Sequence, residues 1–269
     1  MSGPIVRETV RAGLAWRPGG WSRTMALEAL LWDVDGTLAE TERDGHRLAF
    51  NRAFAEAGVP IHWDPQSYAD WLAIAGGRER IRAALRQLET REPDPDRVES
   101  LQARKQAHYA DLLAGGILAL RPGVEELLAA AAAAGLRQAI VTTSGRPAVG
   151  ALLEQLLPAG ADCFSFWVCG DDVSRKKPHP EAYLQAADRL GLPRQQVLVL
   201  EDSPIGLAAA AAAGLACVVT RSHYGAREPL ERFAAAQAVL SGLGGDDRVL
   251  RGPACAAGTP TLSYLQSLL

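Results

Sequence analysis

Ala29-Leu30-Leu31-Trp32-Asp33-Val34-Asp35-Gly36-Thr37 is the stretch of sequence that indicates the fold. Its apolar run predicts a buried strand of a parallel sheet, so the two acids arrive where that strand ends. In open α/β sheets, ligand crevices form outside the carboxyl ends of the strands. Asp33 and Asp35, followed by a glycine turn, can therefore hold a metal and place a nucleophile in one small space. An Asp-X-Asp pair alone is usually solvated turn chemistry, and the strand before it is what favours a catalytic site.

The chain beyond residue 116 repeats this pattern of apolar runs that end in polar or turn residues. The predicted strands are residues 27–32, 138–141, 164–169, 197–200 and 216–219. The predicted helices between them are residues 122–134, 180–190 and 205–213, and each is followed by a glycine that stops it. Strands that alternate with helices predict an α/β protein with a parallel, doubly wound sheet.

Residues 41–115 depart from this alternation, because no strand-like run occurs there. Their pattern predicts four helices, at residues 43–57, 65–74, 77–89 and 95–113. An insertion of this size has the dimensions of a small cap domain that closes over the strand ends. We therefore predict a core formed by residues 25–40 and 116–241, with a helical cap at 41–115.

The two ends of the chain differ in composition from the core. Residues 1–24 contain four arginines and no continuous apolar segment, which predicts a disordered extension rather than a secretory signal. Met25 could be the true start, and an organelle transit peptide is an alternative that Glu8 disfavours. Residues 242–269 form a tail rich in Gly, Pro and Ala. Its apolar end, 262–269, is either a final helix packed on the core or a frayed end.

The overall composition excludes several classes of function. The 269 residues carry a net charge of −3 and no basic stripe, which argues against nucleic-acid binding. No run of about 18 apolar residues predicts a membrane span. The four cysteines form no CxxC pair, so they predict reduced thiols rather than a zinc site or a disulfide framework. We expect a cytoplasmic protein that acts as a monomer on a small molecule.

The polar residues at the strand ends are of the types that phosphoryl transfer requires. Asp33 could attack phosphorus and form an acyl phosphate, and Asp35 could protonate the leaving oxygen and then activate water. Glu201 and Asp202 supply hard oxygen ligands suited to Mg²⁺. Positioning and electrostatics dominate phosphoryl transfer, so residues at several strand ends can each contribute a part of the site.

Two other polar groups at strand ends fit the same site. Thr142 offers a hydroxyl and backbone N–H groups to a phosphate oxygen, and Lys177 offers a positive charge for the transition state. Each also has a structural interpretation: Thr142 could cap a helix, Lys176 and Lys177 could form a solvated turn, and Glu201-Asp202 could cap the next helix. Their occurrence in order at the ends of apolar strands favours one common site.

The motifs Asp33-Val34-Asp35-Gly36-Thr37, Thr142, Lys177-Pro178 and Leu200-Glu201-Asp202-Ser203 resemble the four motifs of the haloacid dehalogenase-like superfamily. The resemblance covers residues 27–220 and implies a Rossmann-like core with an inserted α-helical cap. It implies that Asp33 is the nucleophile, Asp35 the general acid and base, and Thr142 a phosphate ligand. Lys177, which matches the motif better than Lys176, would steady the nucleophile. Mg²⁺ would bind the Asp33 carboxylate, the Asp35 carbonyl and Asp202, with Glu201 close by.

Two stretches in the predicted cap, residues 39–51 and 76–81, resemble the CbbY-type branch of this superfamily, which is related to β-phosphoglucomutase. That resemblance implies removal of the 1-phosphate from xylulose-1,5-bisphosphate, an inhibitor of Rubisco in the Calvin cycle. A bisphosphate needs a second anionic site away from the metal. Gly76 and Gly77 allow close backbone approach at a helix N-terminus, and Arg78 and Arg80 can add charge-assisted bonds.

Further candidates for substrate binding lie on both sides of the predicted crevice. Glu42 and His46, one helical turn apart, could face the sugar hydroxyls. Thr143, Ser144 and Arg146 follow the second predicted strand and could also reach the substrate. Solvent-facing roles for the arginines, and a core or surface role for His46, are the structural alternatives.

Together these features predict a Mg²⁺-dependent sugar-bisphosphate phosphatase that uses an aspartyl-phosphate intermediate. A phosphomutase on the same scaffold is the main alternative, since it would pass the phosphoryl group to a second hydroxyl instead of water. A catalytically silent binding protein is the third alternative, and an incomplete set of motifs would favour it. Every motif is filled here.

Overall fold

A seven-stranded sheet forms the centre of the protein, whose computed structural model describes residues 26–158, 161–255 and 258–269. The predictions for residues 1–24 and for Met25 lie outside these ranges. The strands are β1 Ala29–Trp32, β2 Arg137–Val141, β3 Phe166–Val168, β4 Val197–Glu201, β5 Ala216–Thr220, β6 Ala238–Leu240 and β7 Val249–Arg251. Their order is β3-β2-β1-β4-β5-β6-β7, with only the last pair antiparallel among the described strands.

The helices divide into one group that follows β1 directly and a second group that alternates with the later strands. The first group comprises a π-helical turn, Glu42–His46, and α1 Arg47–Glu56, α2 Pro65–Trp71, α3 Gly77–Glu89 and α4 Pro95–Ala114. The second comprises α5 Val124–Ala133, α6 Arg146–Leu156, α7 Glu181–Leu190, α8 Pro204–Ala212 and α9 Leu262–Gln266. Short 3₁₀ turns are Ala161–Cys163, Arg194–Gln196, Gly225–Arg227 and Leu230–Phe233.

The sheet is covered on both faces, as a doubly wound fold requires. Successive residues of β1 point to opposite faces, so Leu30 and Leu31 enter separate apolar clusters. One cluster includes residues of α5, α6 and α9, and the other includes residues of α7 and α8. This arrangement confirms the predicted fold class and leaves the carboxyl ends of the strands free to form a site.

The structure differs from the predicted elements mainly near the C-terminus. Strands β6 and β7 were not predicted, because their short apolar runs are bounded by polar residues and β7 is only partly buried. Helix α6, in the middle of the chain, was not predicted either. Strand β7 adds residues 249–251 of the predicted tail to the sheet. In α9, Tyr264 and Leu265 are buried in the same apolar cluster as β1, as expected for a final helix packed on the core.

Helices α1–α3 and the start of α4 surround an apolar cluster of their own. Its largest members are aromatic, and Phe50 and Phe54 pack edge-on against Trp63. Asp64 and Asp94 are the N-caps of α2 and α4. The side chain of each accepts hydrogen bonds from backbone N–H groups, and a proline follows each residue as the first residue of the helix. Tyr224, from the segment after β5, is buried in the same cluster.

None of the helices in the described ranges combines the length and apolar character of a membrane span.

Candidate active site

Three carboxylates meet at the carboxyl ends of β1 and β4. Asp33 follows β1, Glu201 ends β4 and Asp202 follows it, and one oxygen from each lies within 4.8 Å of the others. All three residues are buried. Burial raises the pKa of Asp33 to about 7 although Lys177 opposes the shift, and burial likewise raises the pKa of Asp202. The carboxylates therefore repel one another and would be stabilised by a cation.

Lys177 supplies one buried positive charge to this cluster. Its Nζ donates to Asp33 Oδ1 at 2.8 Å, to Glu201 Oε1 at 2.6 Å and to the Val141 carbonyl at 2.8 Å. Burial would lower the pKa of Lys177, but the two carboxylates outweigh it and hold the pKa above its ordinary value. The neighbouring Lys176 instead binds Glu79 of α3, at 2.7 Å. Of the two adjacent lysines, Lys177 is the one that contacts Asp33.

Glu201 has both of its oxygens engaged by protein groups. Oε1 accepts from Lys177 and from the Tyr183 hydroxyl at 2.6 Å, while Oε2 faces the Asp202 N–H at 3.3 Å. A Cβ atom at Gly206 would overlap this carboxylate, so the glycine makes room for it. Glu201 thus orients Lys177, which leaves Asp33 and Asp202 as the better placed carboxylates for a metal. Their hard oxygens and the excess negative charge fit Mg²⁺.

Gly36 allows the loop after β1 to approach Asp202. Its φ is +89°, in the left-handed region that favours glycine, and a Cβ atom there would overlap the Asp202 carboxylate. Asp202 Oδ2 also accepts the hydroxyl of Ser222 from the segment after β5. Three strand ends therefore contribute to the position of one candidate metal ligand.

The Asp35 carboxylate turns away from Lys177 towards the helices that follow β1. It accepts from the Thr41 hydroxyl, lies 3.0 Å from His46 Nε2 and accepts from the Ser144 hydroxyl at 2.5 Å. Burial would raise the pKa of Asp35, but His46 and the hydroxyl donors outweigh it and hold the pKa below its ordinary value. Asp33 and Asp35 thus have different environments although one residue separates them.

Lys105 of α4 is a buried residue of this network that the sequence predictions omitted. Its Nζ lies 2.9 Å from His46 Nδ1, so His46 bridges Lys105 and Asp35. Burial lowers the pKa of Lys105 to about 8. A sequence signal existed, because Lys105 occupies a helical position in register with the buried Leu101, Tyr109 and Leu112. A charge in the middle of an apolar face is the pattern that could have revealed it.

Glu42 and Arg80 pair with each other inside the first group of helices. Arg80 is only 5% exposed, and its Nη1 lies 3.1 Å from Glu42 Oε2. The Tyr68 hydroxyl donates to the same oxygen at 2.5 Å. Burial would raise the pKa of Glu42, but Arg80 outweighs it and lowers the pKa. Sequence reasoning selected Glu42 and Arg80 separately and omitted Tyr68, which completes their cluster.

Most of the predicted site residues line one or other of two adjoining cavities. A cavity of about 450 Å³ is lined by Asp33, Asp35, Glu42, Arg80, Lys177, Glu201 and Asp202. A cavity of about 280 Å³ is lined by Gly77, Arg78, Lys105, Ser144 and Lys176. Thr143 lines both. Gly76 is the N-cap of α3, with φ +97°, and Arg78 forms an ion pair with Glu99. Arg146 lines neither cavity, although its neighbours Gly145 and Pro147 line the smaller one, and its side chain binds Asp172 at 2.6 Å.

Neither Thr142 nor the Glu201-Asp202 pair caps the helix that follows it. Helix α6 has Gly145 as its N-cap, so Thr142 caps no helix; it is buried, with its hydroxyl 3.5 Å from Asp35 Oδ2. Helix α8 is capped by Ser203, which accepts the Gly206 N–H at 3.0 Å. Asp202 is therefore not used as a cap.

Comparison with known proteins gives the same family as the motifs. Residues 27–214 match the haloacid dehalogenase-like hydrolase family. The chain is 45% identical over 202 residues to Protein CbbY of Rhodobacter capsulatus, covering 74% of this chain and 88% of that protein. It is 41% identical over 225 residues to Protein CbbY of Cereibacter sphaeroides, covering 82% and 97%.

A solved structure agrees with these relatives. It is a crystal structure of a mutant CbbY from Rhodobacter sphaeroides in complex with xylulose-1,5-bisphosphate, which is 40% identical to this chain. The two align with a TM-score of 0.73, over 80% of this chain and 94% of that chain. The chain therefore belongs to the haloacid dehalogenase-like hydrolase family.

Proposed function

We propose that the protein is a Mg²⁺-dependent phosphatase that removes the 1-phosphate of xylulose-1,5-bisphosphate through an aspartyl-phosphate intermediate. The observation that carries the proposal is the buried Asp33–Lys177–Glu201 arrangement beside Asp202, with Asp35 held separately. The relatives named CbbY and the CbbY complex with xylulose-1,5-bisphosphate support the choice of substrate. Removal of that phosphate would clear an inhibitor of Rubisco.

In the proposed first step, an Asp33 oxygen attacks phosphorus and the bond to the sugar oxygen breaks. Lys177 holds Asp33 in one orientation through the 2.8 Å contact and offsets negative charge as the phosphoryl group transfers. Asp33 and Asp202, with the Asp35 carbonyl, would hold Mg²⁺. The ion would supply charge neutralisation for the carboxylates and the phosphoryl oxygens.

Asp35 handles the proton in both proposed steps. A phosphate dianion close to Asp35 favours protonation of its carboxyl group, because like charges raise a carboxyl pKa. Asp35 then donates this proton to the departing sugar oxygen. In the second step it accepts a proton from the water that attacks the Asp33 phosphoryl group. The contacts from Thr41, His46 and Ser144 hold Asp35 in position for this exchange.

The second phosphate of the substrate would bind in the smaller cavity. Gly77, Arg78 and Lys176 line that cavity, which adjoins the larger one at Thr143. Backbone N–H groups at the start of α3 and two cationic side chains favour an anion there. Arg78 and Lys176 are also ion-paired, with Glu99 and Glu79, but these pairs are partly exposed and their side chains can turn to an anion. Arg80 is buried against Glu42, so we assign that pair to the wall facing the sugar rather than to the phosphate.

A phosphate-release screen tests this function with xylulose-1,5-bisphosphate, ribulose-1,5-bisphosphate and hexose phosphates. We expect Mg²⁺-dependent release with xylulose-1,5-bisphosphate preferred by about 100-fold or more in kcat/KM, since buried polar groups that recognise a hydroxyl can discriminate by up to about 10⁴-fold. Preference for ribulose-1,5-bisphosphate would contradict a role in protecting Rubisco. Isomerised sugar phosphate in place of free phosphate would show a mutase instead.

Mg²⁺ should stabilise the folded protein even without substrate. Binding relieves the repulsion between buried carboxylates, and at about 100 times Kd it contributes about 2.7 kcal/mol, or a Tm increase of about 5–10 °C. Differential scanning fluorimetry measures this increase. In Asp202→Asn most of it should disappear, whereas Asp188→Asn, which changes an exposed residue of α7, should keep it. An equal increase in all three proteins would contradict the assignment of the metal site.

A further inference from the structure

Arg121 lies where the two connections to helices α1–α4 run side by side. Ala39, in the first connection, forms an antiparallel bridge with Leu120 in the second. The Arg121 N–H continues this contact by donating to the Leu38 carbonyl at 2.8 Å. The side chain of Arg121 therefore starts at the paired connections between the sheet and the helical insertion.

The Arg121 guanidinium group donates hydrogen bonds to residues at two separate strand ends. Nη1 donates to the Gly36 carbonyl and to the Thr220 hydroxyl at 2.7 Å, and Nη2 donates to the Arg221 carbonyl at 2.7 Å. Nε lies 3.5 Å from Glu40 in the first connection. The side chain is 10% exposed, so these contacts are largely shielded from water. Nothing in the motifs singled out this arginine.

Both strand ends that Arg121 joins position Asp202. Gly36 packs directly against the Asp202 carboxylate, and Ser222, the residue after Arg221, donates its hydroxyl to Asp202 Oδ2. One rigid, planar cation thus spans the loop after β1 and the segment after β5. Lysine cannot replace it, because a single ammonium nitrogen lacks the five donors and the fork shape of guanidinium.

We propose that Arg121 is a positioning residue that sets the spacing between the Asp33–Gly36 loop and Asp202, and so determines the affinity for Mg²⁺. The inference rests on the proposed Mg²⁺-dependent function. It predicts that loss of the fork weakens metal binding, since the groups that orient metal ligands commonly contribute 10- to 100-fold to affinity. Through its contact with Glu40, Arg121 also links the metal site to the first connection.

Arg121→Lys tests the proposal, with Mg²⁺ binding measured by isothermal titration calorimetry in the absence of substrate. We expect Kd for Mg²⁺ to rise by about 10-fold or more, and the Mg²⁺ requirement for phosphate release to rise in parallel. Arg137→Lys is the matched control. Arg137 also donates to a backbone carbonyl, that of Leu190, at 2.7 Å, but it lies at the start of β2, at the end of the strand away from the candidate site. The control should leave the Mg²⁺ Kd unchanged.

A second variant keeps the test open if Arg121→Lys folds poorly. Thr220→Val removes one acceptor of Arg121 while it preserves size and burial, and should raise the Mg²⁺ Kd by about fivefold, the loss of one hydrogen bond. A Kd within twofold of wild type in both Arg121→Lys and Thr220→Val would overturn the proposal, whatever their Tm. Absence of Mg²⁺ binding in the wild-type protein would instead refute the proposed metal dependence itself.

Discussion

Asp33→Asn should lower kcat for phosphate release by about 10⁴-fold or more while the protein remains folded. The amide keeps the size of the carboxylate but cannot attack phosphorus to form an acyl phosphate. One negative charge also leaves a buried cluster in which burial raises the pKa of Asp33 to about 7. We therefore expect a Tm equal to or above that of the wild type when both are measured without Mg²⁺.

The controls for Asp33→Asn separate loss of chemistry from loss of structure. Asp188→Asn makes the same change at an exposed position of α7 and should retain full activity. Mass spectrometry after rapid acid quench should detect phosphorylated wild-type protein and no phosphorylated Asp33→Asn. Phosphate release by Asp33→Asn within 10-fold of the wild-type rate would refute Asp33 as the nucleophile.

Lys177→Met should impair both stability and catalysis. Lys177 is 4% exposed at its side chain and contacts two carboxylates, so its removal leaves Asp33 and Glu201 buried without their cation. Breaking a buried ion pair on one side typically costs about 3–5 kcal/mol. Urea unfolding without Mg²⁺ should show that loss. The kcat measured at saturating Mg²⁺ should fall by about 10²–10³-fold, the scale for removal of one preorganised charge.

Lys176→Met is the matched control, because the two lysines are adjacent and only one contacts Asp33. The Lys176–Glu79 pair is partly exposed, so its loss should change the free energy of unfolding by less than about 1 kcal/mol. If Lys176 binds the second phosphate, KM rises while kcat stays within a few-fold of the wild type. Equal effects of the two substitutions on stability and kcat would contradict the assignment of Lys177.

Much of the fold could be predicted from sequence because its signals are local. The apolar runs before Asp33 and Glu201, and the glycines that stop α5, α7 and α8, each lie within one element. Strands β6 and β7 escaped prediction because polar residues bound their short apolar runs, whereas the equally short β3 lies in a longer apolar run at residues 164–169. Helix α6 escaped because Gly150 interrupts its helical pattern, and an interior glycine weakens such a pattern.

The contacts within the candidate site were harder to predict, because residues far apart in the chain make them. Lys177 and Asp33 are 144 positions apart, and only the packing of the parallel strands brings them to 2.8 Å. The packing of helices, in turn, brings Lys105 beside His46 and Arg80 beside Glu42. Arg146 was selected because it follows the second predicted strand, but its side chain binds Asp172.

The sequence by itself determined the α/β class, the helical insertion and the pair of acids at the end of the first strand, because periodicity and turn residues act over short distances. Tertiary structure decided which lysine meets Asp33 and where the Asp35 carboxylate points. It also decided that Arg121 binds the Gly36 and Arg221 carbonyls, in the two segments that contact Asp202. These outcomes depend on how separate strand ends and the insertion approach one another, and no local pattern encodes that approach.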